Sequence, residues 1–221
     1  MTYGLDFDPG LMLVTDRPLS GKRSLAEVVE EAVEGGATIV QLREKDAPLR
    51  DFIDLGRRVL DIVRPRRIPL LINDRVDVAL AVCADGVHLG QSDMAPADAR
   101  RLLGRKAIIG LTVETMAQAR AAERLEVDYL GVSPIFPTPT KTDTGPAWGM
   151  EGLRKLRSVV SKRLVAIGGI NGTNAASALE AGADGIAVVS AICAAPNPEQ
   201  AARRLREIVD RHRRAKEGVR S

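Results

Sequence analysis

Eight short runs rich in Val, Ile and Leu, each followed by a stretch of helical periodicity, constrain this chain more than any other feature. The runs are Leu11–Thr15, Thr38–Leu42, Pro69–Ile72, Asp85–Leu89, Ala107–Leu111, Tyr129–Val132, Leu164–Ile167 and Gly185–Val189. Their near-continuous apolar character predicts strands covered on both faces, as in a parallel sheet. Ser24 and Glu27 form a capping box ahead of Leu25, Val28, Val29, Ala32 and Val33, and Gly35-Gly36 stops that helix. Further helices are predicted over about Leu49–Val63, over Val76–Val82, after Pro96, and after Thr115 with Gln118 as its capping partner. Met150–Val160 and Thr173–Ala181 follow, and Asn197-Pro198-Glu199-Gln200 starts the last helix. Right-handed crossovers leave few ways to arrange eight βα units in 221 residues. The expectation is an α/β fold, a single-domain (β/α)8 or TIM barrel. No linker or composition break divides residues 1–221, and a basic tail begins at about Arg211.

Bulk composition narrows the function classes. Hydrophobic content of 45% and charged content of 28% are those of a globular protein. Aromatic content of 3% argues against a base-stacking surface for nucleic acid. Net charge is +3, and the arginines Arg203, Arg204, Arg206, Arg211, Arg213 and Arg214 alternate with Leu205, Ile208 and Val209, the pattern of a solvated helix face rather than a nucleic-acid arm. Cys83 and Cys193 have no metal-ligand spacing and read as buried, reduced thiols. No run has membrane-spanning length and no signal-peptide pattern is present, so no membrane partner and a cytoplasmic location are expected. GxGxxG and Walker fingerprints are absent.

The unusual polar residues fall after the strands, where a barrel carries its chemistry. Gln41-Leu42-Arg43-Glu44-Lys45 ends the second strand, and strand alternation lets Gln41, Arg43 and Lys45 share a face as an anion clamp. The competing reading is a surface salt-bridge array with Glu44 and Asp46. Asn73 and Asp74 end the third strand. On local grounds Asp74 caps the next helix, with Asp77 in its first turn. Gly90-Gln91-Ser92-Asp93 follows the fourth strand, and two aspartates from adjacent loops, Asp74 and Asp93, suit a magnesium–diphosphate complex. His88, within the fourth strand, reads as a packed residue rather than a base.

After the sixth strand, Pro134, Pro137 and Pro139 hold the chain extended while Thr138, Thr140, Lys141, Thr142, Asp143 and Thr144 supply hydroxyls and charge. A stiff loop of donors around one lysine suits a phosphorylated ligand; a solvated threonine-rich loop is the alternative. Gly168-Gly169 and Val189-Ser190 end the seventh and eighth strands, the customary phosphate position of this fold. Gly168-Gly169 also reads as a plain tight turn.

Six motifs in order, Gln-Leu-Arg-Glu-Lys, Ile-Asn-Asp-Arg, Gly-Val-His-Leu-Gly-Gln-Ser-Asp, Pro-Thr-Pro-Thr-Lys, Ala-Ile-Gly-Gly-Ile and Val-Val-Ser-Ala-Ile, resemble the thiamine phosphate synthase family over nearly the whole chain. The resemblance implies an enzyme that joins 4-amino-2-methyl-5-(diphosphooxymethyl)pyrimidine to 4-methyl-5-(2-phosphoethyl)thiazole, or its carboxylate form. Diphosphate leaves, a pyrimidine cation forms, and magnesium is the cofactor. It implies Gln41, Leu42, Arg43, Glu44, Lys45, Asn73, Thr112 and Lys141 around the pyrimidine diphosphate, with Arg43, Lys45, Lys141 and Thr112 acting in catalysis. Thr138, Pro139, Thr140, Gly169, Val189 and Ser190 would meet the thiazole phosphate, and Asp74 and Asp93 the metal. The family usually has serine where this chain has Thr112 after the fifth strand. A thiazole tautomerase-like paralogue would want a histidine near the thiazole, which neither His88 nor His212 provides, and would leave the clamp and aspartate pair without use. A non-catalytic sensor of thiazole phosphate or thiamine phosphate, and a phosphosugar isomerase or indole-type synthase, are the other classes. Self-association into a homo-oligomer is left open by the sequence.

Overall fold

Eight parallel strands close on themselves in sequence order in the computed structural model, which describes residues 6–138 and 145–218. They are β1 Leu11–Val14, β2 Ile39–Leu42, β3 Leu70–Asn73, β4 Gly86–Leu89, β5 Ile108–Val113, β6 Tyr129–Val132, β7 Arg163–Ala166 and β8 Gly185–Val188. Closure is made by β1 against β8, with Met12 opposite Ala187 and Leu13 opposite Val188. The expected (β/α)8 barrel is the fold. Strand ends differ from the sequence reading by one or two residues. The one that matters is β5, which runs through Thr112 because Thr112 and Val113 pair with Gly131 and Val132 of β6. Thr112 therefore projects from a strand rather than from a loop.

Helices α1 Leu25–Glu34, α2 Leu49–Val63, α3 Val76–Val82, α4 Pro96–Leu103, α5 Met116–Ala122, α6 Gly149–Arg157, α7 Ala175–Glu180, the short α8 Ser190–Cys193 and α9 Pro198–Gly218 cover the outside. Three of their starts, those of α1, α5 and α9, are set by side-chain oxygens meeting orphan amides. The Ser24–Glu27 capping box of α1 and the Thr115–Gln118 box of α5 are both formed. Asn197 Oδ1 accepts the Gln200 amide at 2.7 Å at the start of α9. One expectation fails: Cys193 is buried but Cys83 is exposed. Cys83 ends α3 in the left-handed region, φ 57°, which turns its thiol outward toward the Leu80 carbonyl.

Strand alternation sorts the core into two layers. Leu11, Leu13, Val40, Leu42, Leu70, Ile72, Val87 and Leu89 face the helices. Met12, Val14, Ile39, Leu71, Ile108, Tyr129, Val165 and Ala187 fill the lumen.

Aspartates at the N-terminal face tie neighbouring strands together. Asp85, Asp128 and Asp184 accept the amides of Leu70 (2.9 Å), Ile109 (2.8 Å) and Leu164 (2.8 Å). Asp128 is also paired with buried Arg100 at 2.7 Å. At the same end Asp8 binds Arg206 at 2.9 Å and Arg213, anchoring α9. Burial opposes ionisation of Asp8, but hydrogen bonds from Arg213, the Gly10 amide and Arg206 prevail and hold its carboxyl at about 2.

Backbone proximity dictates glycine at Gly185, where an added Cβ would lie 1.7 Å from the Pro9 carbonyl oxygen, whereas Gly172 has nothing within 4 Å. Gly185→Ala is expected to cost about 3 kcal/mol or more in urea denaturation, and Gly172→Ala less than about 1 kcal/mol. Equal midpoints for the two variants would contradict this account of strand closure.

Candidate active site

All eight strand ends open onto one cleft of about 480 Å³ at the C-terminal face. Strand β2 supplies its basic side. Gln41 is buried in the lumen, and Arg43 and Lys45 line the cleft above it. Leu42 packs outward in the helix-facing core. Glu44 also turns away, its side chain 5% exposed and 3.0 Å from Arg17 Nε. Alternation thus continues past the strand end, bringing Gln41, Arg43 and Lys45 together and excluding the Leu42 and Glu44 side chains.

The competing array of Arg43 and Lys45 with Glu44 and Asp46 is not what forms around Arg43. Its Nη1 meets Asp16 Oδ2 at 3.2 Å, and its amide donates to Thr15 Oγ1 at 2.9 Å. Asp16 is itself held by the Leu19 amide at 3.1 Å. The loop after β1 therefore braces the guanidinium, and a fork with five N–H groups retains donors for a ligand. Asp16, next after the Leu11–Thr15 run, was not singled out from the sequence. The rule that polar residues after barrel strands face the mouth would have found it.

The adjoining wall is acidic. Asn73 and Asp74 from β3 and Asp93 from the loop after β4 line the same cleft, with Glu114 beyond β5. Asp74 takes φ 62°, a conformation most side chains avoid and aspartate tolerates. Its amide donates to the His88 carbonyl at 2.8 Å. The cap of α3 is Arg75 with no side-chain capping bond, so Asp74 does not have the local capping role. Burial, then a hydrogen bond and the charge of Asp93, push the Asp74 carboxyl up to about 7, against the opposing pull of Arg43 and Asn73. Asp93 Oδ2 in turn accepts the Gly90 amide at 2.6 Å.

Among the described residues no cluster of three or more His, Cys, Asp or Glu is present. Two facing carboxylates that disfavour joint ionisation, in a cleft with room for a ligand's own oxygens, fit a hard divalent cation that takes few protein ligands.

Gly168, Gly169, Val189 and Ser190 form the rim from β7 and β8, and Thr138 lines the cleft after β6. Both glycines have positive φ, 96° and 69°. A Cβ on Gly168 would lie 2.8 Å from Pro134, and one on Gly169 2.8 Å from the Phe136 Cβ. The chain approached closely at this point is the loop after β6. Pro139, Thr140 and Lys141, with Thr142, Asp143 and Thr144, lie outside the described residues.

Thr112 projects into the cleft from β5, with Gln91 Nε2 donating to its carbonyl at 2.6 Å. His88 is buried below it, bonded through both ring nitrogens, as suits a packed residue.

Fold and cleft define a (β/α)8 barrel whose basic, acidic and glycine-lined walls converge on one cleft. Residues 11–192 match the family model described as thiamine monophosphate synthase. The chain is 58% identical over 200 residues to the thiamine-phosphate synthase of Albidiferax ferrireducens, covering 90% of this chain and 91% of that one. It is 51% identical to that of Azorhizobium caulinodans over 94% of this chain and 98% of the relative. Among solved structures, thiamine phosphate pyrophosphorylase from Pyrococcus furiosus superposes with a TM-score of 0.85 at 41% identity, covering 93% and 97% of the two chains. The chain belongs to the thiamine monophosphate synthase family, and it is a transferase. Among the described residues no helix is long and apolar enough to cross a membrane.

The raised Asp74 carboxyl has a defined pH consequence in the absence of divalent cations. Folded Asp74 keeps its proton up to about 7, whereas in the unfolded chain the ordinary value is 3.8. Its contribution to stability is therefore complete below about pH 4 and lost as pH rises through 7. Denaturation midpoints in chelator are expected to show wild type losing stability relative to Asp74→Asn between about pH 4 and 7, and a level difference above that. A constant difference between the two proteins would contradict the assigned shift.

Proposed function

We propose that the enzyme couples 4-amino-2-methyl-5-(diphosphooxymethyl)pyrimidine to 4-methyl-5-(2-phosphoethyl)thiazole, or its carboxylate form, giving thiamine phosphate and diphosphate, with carbon dioxide released in addition from the carboxylate form. The observation that carries the reading is the convergence of Arg43 and Lys45 with the Asp74–Asp93 pair in one cleft, beside the rim at Gly169, Val189 and Ser190.

In this reading the C–O bond between the pyrimidine methylene and the diphosphate breaks first, with the electron pair leaving on oxygen. The electron-rich aminopyrimidine stabilises the methylene cation, and the thiazole nitrogen then supplies the pair for the new C–N bond. Asp74 and Asp93 would hold magnesium, which when bound supplies positive charge to the departing diphosphate oxygens. Arg43, braced by Asp16, and Lys45 neutralise the same leaving group from the other wall. Gln41, Asn73 and Thr112 hold the pyrimidine ring. Thr138, Gly169, Val189 and Ser190 hold the thiazole phosphate, so both rings are aligned before bond cleavage. Leu42 and Glu44 take no side-chain part. Lys141 is assigned to the diphosphate, and Pro139 and Thr140 to the thiazole phosphate, on the family resemblance alone.

The test is turnover with both phosphorylated substrates, following thiamine phosphate and diphosphate together. Equal, magnesium-dependent formation of both is the expected result; product without magnesium, or unequal amounts, contradicts the reading. Arg43→Ala should lower kcat by on the order of 10²-fold or more with the folded state intact. Asp93→Asn should raise the magnesium concentration needed for half-maximal rate. Ser190→Ala should raise KM for the thiazole phosphate about 10-fold and leave that for the pyrimidine unchanged. A Ser190→Ala defect confined to the pyrimidine would mean that the two half-sites are exchanged.

A further inference from the structure

At the floor of the cleft a chain of polar groups crosses the lumen where the neighbouring layer is apolar. His88 Nδ1 lies 2.7 Å from Tyr129 Oη, and His88 Nε2 lies 2.7 Å from Thr112 Oγ1. The ring occupies a slot cleared by two glycines on adjacent strands. A Cβ on Gly110 would lie 2.2 Å from Tyr129 Cζ and 2.5 Å from His88 Nδ1, and one on Gly131 would lie 2.8 Å from His88 Cε1. Larger residues at these positions would expel the imidazole, so the backbone of β5 and β6 is built around its placement.

Hydrogen-bond chemistry selects the tautomer. Tyr129 is fully buried, and burial keeps its phenol above the ordinary range, so it has a proton to donate. Two acceptors are in reach: His88 Nδ1 at 2.7 Å and the Met12 thioether at 3.9 Å. The thioether is a weak acceptor at long range, and the imidazole nitrogen prevails. The Gln41 side chain also hydrogen-bonds the Tyr129 oxygen. With Nδ1 accepting from Tyr129, the proton of a neutral ring is on Nε2 and points at Thr112. The Thr112 oxygen is then an acceptor inside the protein, and its own O–H is left to point elsewhere. Threonine's β-branch limits χ1, which fixes the hydroxyl more firmly than serine would.

We propose that His88 is a positioning residue, donating from Nε2 to Thr112 so that the Thr112 hydroxyl presents its proton to a ring nitrogen of the pyrimidine substrate. The inference rests on the assignment of Thr112 to the pyrimidine half-site. His88 does not touch substrate in this account. It decides whether Thr112 acts as donor or acceptor, and so selects a ring acceptor over an amino group at that point.

Two measurements test it. In protein labelled with ¹⁵N-histidine, His212→Gln removes the only other histidine and leaves the His88 signals assigned. Long-range proton–nitrogen correlation should place His88 Nδ1 among unprotonated ring nitrogens and Nε2 among N–H nitrogens; the reverse pattern, or averaged shifts, overturns the proposal. A kinetic cycle supplies the second. Thr112→Val should lower kcat by on the order of 10²-fold, and His88→Asn or Tyr129→Phe by about 10-fold, with KM for the thiazole phosphate unchanged. In the Thr112→Val background neither second change should cost more, because their effect passes through the missing hydroxyl. Losses that multiply overturn the proposal and leave a packing role. The Tyr129→Phe arm keeps the cycle decisive if His88→Asn does not fold. Thr112→Val turning over at the wild-type rate would overturn the pyrimidine-site assignment along with this inference. A reversed tautomer beside an impaired Thr112→Val overturns the inference alone.

Discussion

A closed ring of eight parallel strands turns every second side chain into a lumen that must be filled, and the filling sets the depth of the active site. Met12, Ile39, Leu71, Ile108, Tyr129, Val165 and Ala187 form an apolar plug across that lumen. Toward the C-terminal face the inward-facing series carries Gln41 one pleat beyond Ile39, Asn73 one beyond Leu71 and Thr112 two beyond Ile108, with His88 between them on β4. On β2 and β3 the change from apolar to polar takes one step of the strand period. A ligand entering from the C-terminal face meets the plug as a floor and Gln41, Asn73 and Thr112 as its first contacts. Removing volume from the plug would lower that floor and loosen every group that rests on it.

Opposed charge organises the mouth above. Arg43 belongs to two environments: it is braced by Asp16 on one side and acts on Asp74 at the end of the neighbouring strand on the other. Asp74 combines a left-handed backbone with a carboxyl pushed up to about 7. Two departures from ordinary behaviour at one residue mark a position held by its surroundings for a purpose other than stability. Adding a cation would relieve the carboxylate pair, and adding a polyanion would satisfy Arg43 and Lys45. The two ligands are therefore expected to favour one another.

Much of this was legible from the residues. Strand order, the α1 and α5 capping boxes and the barrel itself follow from period, caps and crossover rules, because those signals are local and additive. The clamp of Gln41, Arg43 and Lys45 was also legible, since alternation alone fixes a shared face. Asp16 was not, because its partner is 27 residues away and only the pairing of β1 with β2 brings them together. His88 could be read as packed, but its bonds to Tyr129 and Thr112 span 41 and 24 residues and depend on strand register. Gly168-Gly169 illustrates the converse. The glycines were visible, but the chain they approach is the loop after β6, which only the folded structure identifies. Cys83 was misjudged because its apolar neighbours suggested burial, while a left-handed helix end turns it outward.

Mutual dependence of cation and polyanion is the central claim, and it can be measured without catalysis. Calorimetric titration of the full chain with inorganic diphosphate, with and without magnesium, reads the coupling directly. The account predicts affinity tighter by about 10-fold or more with magnesium, and that this gain is lost in Asp93→Asn while most of the magnesium-free affinity is kept. Equal affinity in both conditions, or an undiminished gain in Asp93→Asn, would contradict the assignment of Asp74 and Asp93 to the metal.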